Sequence, residues 1–161
     1  MVNAGLGWYQ AGAPHMKLFF ILHLFIFSGG FAMADDAPKN ILGNPLEVCC
    51  TDPMTGFFRD GYCNTNHMDR GSHVVCAEVT EEFLEYTKSR GNDLSTPNPA
   101  HRFPGLKPGD GWCLCALRWL EAHEAGVAPP IKPAATHEKT LEYIPLEILN
   151  NYSSDEYKPG N

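Results

Sequence analysis

The chain has 161 residues, 43% of them hydrophobic and 19% charged, which is the composition of a folded protein of about one domain rather than of a disordered chain. Its 13 prolines and 15 glycines indicate many turns and argue against a helical bundle or a coiled coil. Twelve basic against 19 acidic residues give a net charge of −7, so the phosphate attraction that dominates nucleic-acid binding is missing and we expect no nucleic-acid partner.

The first patterned segment is an apolar run near the start of the chain. Lys17 precedes ten apolar or nearly apolar residues, 18–27, and Ala32-Met33-Ala34 follows them. These are the basic, hydrophobic and cleavage regions of a secretory signal peptide. We expect residues 1–34 to be an N-terminal extension with a signal peptide that is cleaved after Ala34. The alternative is a core helix of a cytosolic protein, and the run is too short to span a membrane.

Export determines how the six cysteines are interpreted. In the secretory pathway or another extracytoplasmic compartment their disulfides would persist, whereas in the cytoplasm, the alternative if the leader is not used, they would stay reduced. Cleavage leaves no stable membrane insertion, and it leaves open whether Met1 or Met16 is the initiator. Beyond the extension we expect a linker at 35–39, a single domain over 40–152 and a flexible tail at 153–161.

The early part of the domain predicts a turn and a β-hairpin. Asp52-Pro53 followed by Gly56 is a turn signature, because proline presets φ and glycine accepts a positive one. Asp60-Gly61 then separates two β-compatible runs, 57–59 and 62–64. Asp-Gly is the strongest short signal for a type I′ hairpin, so we expect two paired strands here.

A further strand and a helix come next. The β-branched run 73–79 predicts a strand. Thr80 then suits the N-cap of a helix and Gly91 its C-terminal end, so that we expect a helix over 81–90. The residues of its inward stripe are Phe83, Leu84 and Thr87.

The segment 91–111 is a long loop rich in proline and glycine, and a loop of this length inside a compact domain is often functional. Central Pro-Gly pairs in 103–106 and 107–110 predict two type II turns. Residues 112–115 are typical either of a short strand or of the start of a helix that we expect over 116–125.

Two weaker elements complete the chain, a strand at 140–144 and a final helix that begins at Pro145 and runs through Asn151. Together the elements predict a single α+β domain. A small, mainly antiparallel sheet takes its strands from the hairpin and from 74–79, two or three helices pack on it, and the long Pro/Gly-rich loop lies over one face.

Several motifs are long enough to compare with known families. They are Asn40-Ile41-Leu42-Gly43, the runs 52–61, 91–97 and 103–110, and Trp112-Cys113-Leu114-Cys115 with Arg118-Trp119. In these motifs the chain resembles the mostly bacterial family called domain of unknown function 2237, over residues 40–150. Tyr62 and Cys50 depart from the family pattern, which usually has Cys and Ser there. The resemblance implies no particular activity, substrate or catalytic residue.

The cysteines are the sharpest chemical candidates. Cys113 and Cys115 are two residues apart, so on a strand both sulfurs point to one face and can share a metal or a disulfide. A four-ligand zinc site could be drawn from Cys63, Cys76, Cys113 and Cys115, although their spacing is not a repeated C-x₂-C. Core cysteines or disulfides are the alternative. We expect no cofactor, with zinc as the alternative.

A thiol enzyme is another interpretation of the same residues. Its cysteine needs a nearby cation or helix N-terminus, and a histidine within reach as base. Cys115 directly precedes the helix at 116–125, and Arg118 lies one turn further on. His73 and Cys76 would diverge on a strand, so they could join the site only if the strand starts after His73. Otherwise we expect the histidines to be solvated.

A polar binding surface is the remaining candidate. Turns in the loops 52–61 and 92–112 carry charged or amide groups close to Trp112, namely Asp52, Arg59, Asp60, Asn92, Asp93, Lys107 and Asp110. Arg59 and Lys107 could hold a small polar or acidic ligand, or the carboxylates could hold a hard cation. The alternative is a local role in turns and Asx caps.

Two functions are therefore in competition. The first is a binding or accessory module in which the loops 52–61 and 92–112 form a pocket for a small polar ligand. The second is a thiol- or metal-dependent enzyme centred on Cys113 and Cys115. Both require Trp112 to lie against the early loop that carries Arg59, and neither fixes the oligomeric state.

Overall fold

The computed structural model describes Met1 and residues 37–154. The signal peptide, its cleavage after Ala34 and most of the expected tail lie outside these residues. The described segment 37–154 belongs to one compact unit, Asp35–Asn161. No helix within it has the length and apolar character needed to cross a membrane.

A two-stranded antiparallel sheet forms the centre of the fold. Strand β1 is His73–Glu78 and strand β2 is Gly111–Cys115. In the regular part of the pair Cys76 lies opposite Cys113. The register slips between His73 and Val75, which leaves His73 opposite Cys115. The predicted strand after residue 72 and the strand alternative for 112–115 are confirmed.

Within residues 37–154, three α-helices accompany the sheet: α1 (Glu81–Ser89), α2 (Ala116–Glu124) and α3 (Leu146–Asn150). Three short 3₁₀ segments, Pro99–His101, Pro133–Ala135 and Glu138–Glu142, lie in the connections. The predicted small α+β fold is thereby confirmed.

Helix α1 forms as its local sequence predicts. The Thr80 hydroxyl accepts a hydrogen bond of 3.2 Å from the Phe83 backbone N–H, which satisfies one of the unpaired first-turn donors. At the other end Gly91 takes φ +81°, a conformation that glycine adopts without steric cost. The inward side chains Phe83, Leu84 and Thr87 are buried as predicted.

The predicted hairpin at 57–64 is wrong, and bends and turns replace it. The Asp60 carboxylate accepts a hydrogen bond from the Tyr62 backbone N–H at 3.1 Å, and Gly61 N donates to the Thr55 carbonyl at 3.1 Å. Arg59 adopts a left-handed φ of 56°. These local bonds close a compact loop instead of pairing two strands, and the sheet takes its second strand from β2.

The predicted strand at 140–144 is also wrong, because a 3₁₀ turn occupies Glu138–Glu142. The His137 side chain caps this turn by accepting a hydrogen bond from Lys139 N at 3.0 Å. The buried Thr140 hydroxyl then donates to the Val74 carbonyl at 3.2 Å. Next in the chain, Pro145 is the N-cap of α3 rather than its first residue.

Two clusters make up the core. The larger one packs α1 and α2 against the sheet, with Phe83, Leu114 and Trp119 at its centre. The smaller one consists of Cys49, Cys63, Cys76 and Cys113 with Ala135. The second cluster lies beside β1 and β2, so it fixes the loop around residue 55 to the sheet.

Candidate functional site

The six cysteines divide into two disulfides and two free thiols. The disulfides join Cys49 to Cys76 and Cys63 to Cys113, while Cys50 and Cys115 are unpaired and half-buried. Cys113 therefore has no thiol, which corrects its place among the catalytic candidates. Cys115 keeps its thiol.

The proposed zinc ligands do not come together as a set. Within the described residues, the sulfurs that lie within 4.8 Å of one another belong to Cys49, Cys63 and Cys76, all of them in disulfides. Cys113 and Cys115 lie outside this group, and Cys49, which was not a predicted ligand, belongs to it. A disulfide sulfur is not a thiolate, and zinc binds cysteine as the thiolate.

Cys115 instead contacts a histidine that is itself bonded to a carboxylate. Its Sγ lies 3.4 Å from Nε2 of His73, and Nδ1 of His73 lies 2.6 Å from Oδ1 of Asp69. The other carboxylate oxygen of Asp69 accepts from the Thr65 hydroxyl at 3.0 Å and from the His73 backbone N–H at 2.8 Å. Thiol, imidazole and buried carboxylate thus form a chain in the order of a catalytic triad.

The electrostatics of this triad favour a charged imidazole. The hydrogen bond to Cys115 raises the pKa of His73 to about 9, with help from the Cys115 charge and Asp69 and against the effect of burial. Burial raises the pKa of Asp69, but the hydrogen bonds and charge of His73 and the Thr65 hydroxyl outweigh it, so the pKa lies below its ordinary value. When it is protonated at both nitrogens, His73 donates one N–H to Asp69 and the other to Cys115.

The backbone around Ser72 explains how His73 reaches Cys115. Ser72 adopts a left-handed φ of 47°, and its carbonyl accepts hydrogen bonds from Val74 N at 2.9 Å and from Ala116 N at 3.0 Å. This kink coincides with the register slip in β1. As predicted for a strand, the His73 and Cys76 side chains go to different partners, but the slip still brings His73 to the thiol.

Gly71 leaves room for the contact between thiol and imidazole. A Cβ at this position would lie 2.6 Å from Cε1 of His73 and 2.9 Å from Sγ of Cys115. Its φ is not positive, so the need for glycine here comes from close approach rather than from backbone strain. A side chain at position 71 would displace the Cys115 thiol or the His73 imidazole, and glycine avoids this.

A shallow groove opens at the thiol. Its walls are Arg70, Gly71, Cys115, Leu117, Arg118 and Glu121. Cys115 is the N-cap of α2, and the first-turn N–H groups of a helix have no acceptor within it and carry partial positive charge. The nearby Arg118 donates to Glu121 at 2.8 Å. The groove thus combines two arginine side chains and the Glu121 carboxylate with the positive end of α2.

A second cavity, which we call the aromatic pocket, lies between the two loops chosen from the sequence. It has a volume of about 330 Å³. The early loop contributes Gly56, Phe57 and Arg59, the later one Asp93, Leu94, Asn98, His101 and Phe103, and the sheet His73, Trp112 and Cys113. Trp112 does lie against Arg59, whose Cζ is 4.9 Å from the indole centroid.

The predicted ligand residues divide between the pocket and local roles. Arg59, Asp93 and Trp112 line the aromatic pocket. Its lining does not include Asp52, Asp60, Asn92, Lys107 and Asp110. Three of these have a local role: Asp60 accepts from Tyr62 N at 3.1 Å, Asn92 donates to the Thr87 hydroxyl at 2.9 Å, and Asp110 accepts from Lys107 N at 2.8 Å.

Sequence reasoning missed the aromatic walls and one triad member. Phe57 and Phe103 carry no chemical motif, although Phe57 stacks on His73 at 6.3 Å and Phe103 packs on Trp112 at 5.3 Å. Asp69 lies in an unpatterned polar segment. Its only local signal was the spacing of four residues to His73.

The chain was compared with known proteins. A family model described as an uncharacterized protein conserved in bacteria, domain of unknown function 2237, matches residues 39–153. No curated protein matches the chain. The matched range includes the triad and the whole lining of the aromatic pocket.

Proposed function

The chain belongs to the domain of unknown function 2237 family, and within it we propose that this protein is a thiol-dependent enzyme with Cys115 as its nucleophile. The observation that carries the proposal is the contact of 3.4 Å between Cys115 Sγ and His73 Nε2, extended to Asp69 at 2.6 Å. A nucleophile, a base and a group that orients the base are the parts that covalent thiol catalysis requires.

The chemistry that suits these parts is acyl transfer. The Cys115 thiolate attacks a carbonyl carbon, a sulfur–carbon bond forms, and the carbonyl oxygen takes negative charge near the first turn of α2. When the carbon–leaving-group bond breaks, His73 gives its Nε2 proton to the leaving group. Water then attacks the thioester, neutral His73 accepts the water proton, and the acid product and the thiolate are released.

Asp69 is the positioning residue of this scheme. It holds Nδ1–H of His73, so that Nε2 faces the thiol, and it stabilises the imidazolium. Its own orientation is fixed by the Thr65 hydroxyl. Asn at this position would keep the shape but lose the charge.

A binding module is the second candidate function, and the aromatic pocket favours it. Arg59 and Trp112 meet there from distant parts of the chain, and the volume of about 330 Å³ suits a small molecule. In this case the ligand is a small polar molecule, because the loops 52–61 and 92–112 carry charged and amide side chains.

Alkylation by iodoacetamide tests the thiol proposal inside a single molecule, because Cys50 serves as the reference thiol. Cys50 is also half-buried, but its Sγ contacts a backbone carbonyl, that of Asp52 at 3.2 Å, instead of an imidazole. At pH 6 we expect peptide mass spectrometry to show Cys115 reacting at least tenfold faster than Cys50.

The variants His73→Gln and Asp69→Asn should remove most of the difference in alkylation rate between Cys115 and Cys50. The variant His101→Gln changes a residue in the wall of the aromatic pocket, away from the thiol, and should keep that difference. Equal rates at Cys115 and Cys50, or a Cys115 rate that does not respond to His73→Gln, would contradict the proposal. An acyl adduct on Cys115 after incubation with p-nitrophenyl acetate, absent in Cys115→Ser, would support the reaction class.

A further inference from the structure

The aromatic pocket has flat apolar walls. Phe103 packs on Trp112 with ring centroids 5.3 Å apart, and the ring of the exposed Phe57 lies 6.3 Å from His73 and nearly parallel to it, at 21°. Such faces favour a planar ligand, because the interaction energy between aromatic rings is most favourable in stacked or edge-to-face contacts. Saturated, bulky groups fit them less well.

The pocket also holds a cation that no carboxylate neutralises. Across the described part of the chain, the Arg59 guanidinium forms no ion pair, and its hydrogen bond is to the Met54 carbonyl at 3.2 Å. It lies over the Trp112 ring, and its backbone keeps a left-handed φ of 56°. Non-glycine residues held in this conformation are concentrated at functional sites.

The one carboxylate in the pocket lining, Asp93, already has hydrogen-bond donors and a counter-charge outside the pocket. Asp93 accepts hydrogen bonds from Ser95 N and Thr96 N, both 3.0 Å, and from the Thr96 hydroxyl at 2.7 Å. Lys88 Nζ lies 3.1 Å from Oδ2, the oxygen that also accepts from the Thr96 hydroxyl, and compensates the charge. The pKa of Asp93 lies far below its ordinary value, first because of the Thr96 hydrogen bonds.

The charge balance of the lining is therefore positive. The charged or titratable side chains of the wall are Arg59, His73, Asp93 and His101. Asp93 is neutralised by Lys88 and the His73 imidazolium by Asp69, whereas Arg59 has no counter-charge among the described residues. A ligand with a carboxylate would supply the missing charge, and Arg59 has further N–H donors to bond it.

We propose that the aromatic pocket binds a planar organic anion, a carboxylate carried by an aromatic or conjugated skeleton. This inference rests on the second candidate function and gives its ligand a chemical class. The ring lies against Phe57 and Phe103, and the carboxylate bonds the guanidinium of Arg59, which lies over the buried Trp112. A volume of about 330 Å³ accommodates a molecule of one or two rings and excludes a folded partner.

Titration calorimetry with matched probes tests the class. Benzoate, cinnamate and 2-naphthoate are planar anions, benzamide is the neutral match of benzoate, and cyclohexanecarboxylate is its non-planar match. We expect at least one planar anion to bind, and benzamide and cyclohexanecarboxylate to bind at least tenfold more weakly than benzoate or than the best planar acid.

Variants assign the charge to one residue. Arg59→Gln, which keeps a long side chain, should weaken the best planar acid at least tenfold, and Arg59→Lys should restore part of the affinity. The control Lys107→Gln removes an exposed cation that does not line the pocket, and it should change nothing.

The outcomes distinguish a wrong ligand class from a wrong pocket function. Equal binding of acid and amide, or of planar and non-planar acid, would overturn the ligand class while leaving a binding pocket in place. Failure of all five probes to bind wild-type protein would overturn the pocket function as well. Alkylation of Cys115 measured on the same sample reports on the thiol proposal independently of either result.

Discussion

Cys115 and His73 are 42 residues apart, and their side chains meet, Sγ to Nε2 at 3.4 Å, at the point where the β1–β2 register slips. The slip and the left-handed Ser72 turn the imidazole toward the start of α2. Each of these strands also carries a disulfide, Cys76 to Cys49 on β1 and Cys113 to Cys63 on β2. The Cys115 thiol thus lies on a part of the sheet that disulfides cross-link, which limits the movement that would separate it from His73.

Gly71→Ala should separate the thiol from the imidazole. The new Cβ would lie 2.6 Å from His73 Cε1 and 2.9 Å from Cys115 Sγ, so at least one of the two must move. We expect the Cys115 alkylation rate at pH 6 to fall at least tenfold and the pKa of His73, followed by NMR, to fall toward its ordinary value. Gly43→Ala, where no atom lies within 4 Å, is the control for a general loss of stability. An unchanged rate in Gly71→Ala would show that the contact does not set the reactivity.

Stability should fall with rising pH through the titration of His73. The pKa of His73 is about 9 in the folded protein and about 6.5 in the unfolded chain, so the folded state binds this proton more tightly. Its contribution is complete below pH 6.5 and is lost as the pH rises through 9. Because the side chain is 39% exposed, solvent screening keeps the effect small.

Urea unfolding of wild type and His73→Gln at several pH values measures this contribution. The difference in free energy of unfolding between the two proteins should shrink from pH 6.5 to pH 9. His101→Gln should not reproduce the trend. A difference that grows with pH would contradict the assigned direction.

The two disulfides should contribute unequally to stability. Cys63 and Cys113 are 50 residues apart and Cys49 and Cys76 are 27 apart. Loop-closure entropy then gives about 4 kcal/mol for the longer loop and about 3.5 kcal/mol for the shorter one. Paired Cys→Ala variants, unfolded in urea, check this order.

Thiol titration of the native protein should find two free thiols, and four or more would mean that a disulfide is absent.

Processing of the N-terminus is predicted by the leader pattern, and two disulfides are compatible with an extracytoplasmic protein. Intact-mass measurement of protein exported from its native host should give a chain that starts at Asp35. A chain that retains Lys17 would contradict the predicted cleavage. Ala34→Arg, which blocks the small-residue site, should leave the precursor uncleaved.

Local signals predicted the elements that local bonds hold. Helix α1 was predicted because Thr80 and Gly91 stabilise its ends within a few residues of sequence. The hairpin failed for the opposite reason. Asp60-Gly61 does form a turn, but Cys63 is bonded to Cys113 in a distant strand, and that long-range bond decides where the chain goes.

The candidate site was predictable in part. The loops 52–61 and 92–112 were chosen for their turns, and they do enclose the aromatic pocket. Cys115 was chosen for its place before α2. The role of His73 was not predictable, because it depends on a one-residue register slip. Asp69 was not predictable either, because the burial of a carboxylate in a polar loop leaves no sequence pattern.

The small size of the sheet has a consequence for self-association. Two strands ordinarily expose two outer edges, and open edges recruit further strands from other molecules. Here the outer edge of β1 is already bonded to irregular chain, through Lys132 N to the Cys76 carbonyl at 2.9 Å and His137 N to the Val74 carbonyl at 2.9 Å. On β2 the Cys113 N–H bonds the Thr55 hydroxyl at 2.8 Å. Because these backbone groups are already hydrogen-bonded, few are left to pair with a strand of another molecule. The protein should therefore resist fibril formation even at high concentration.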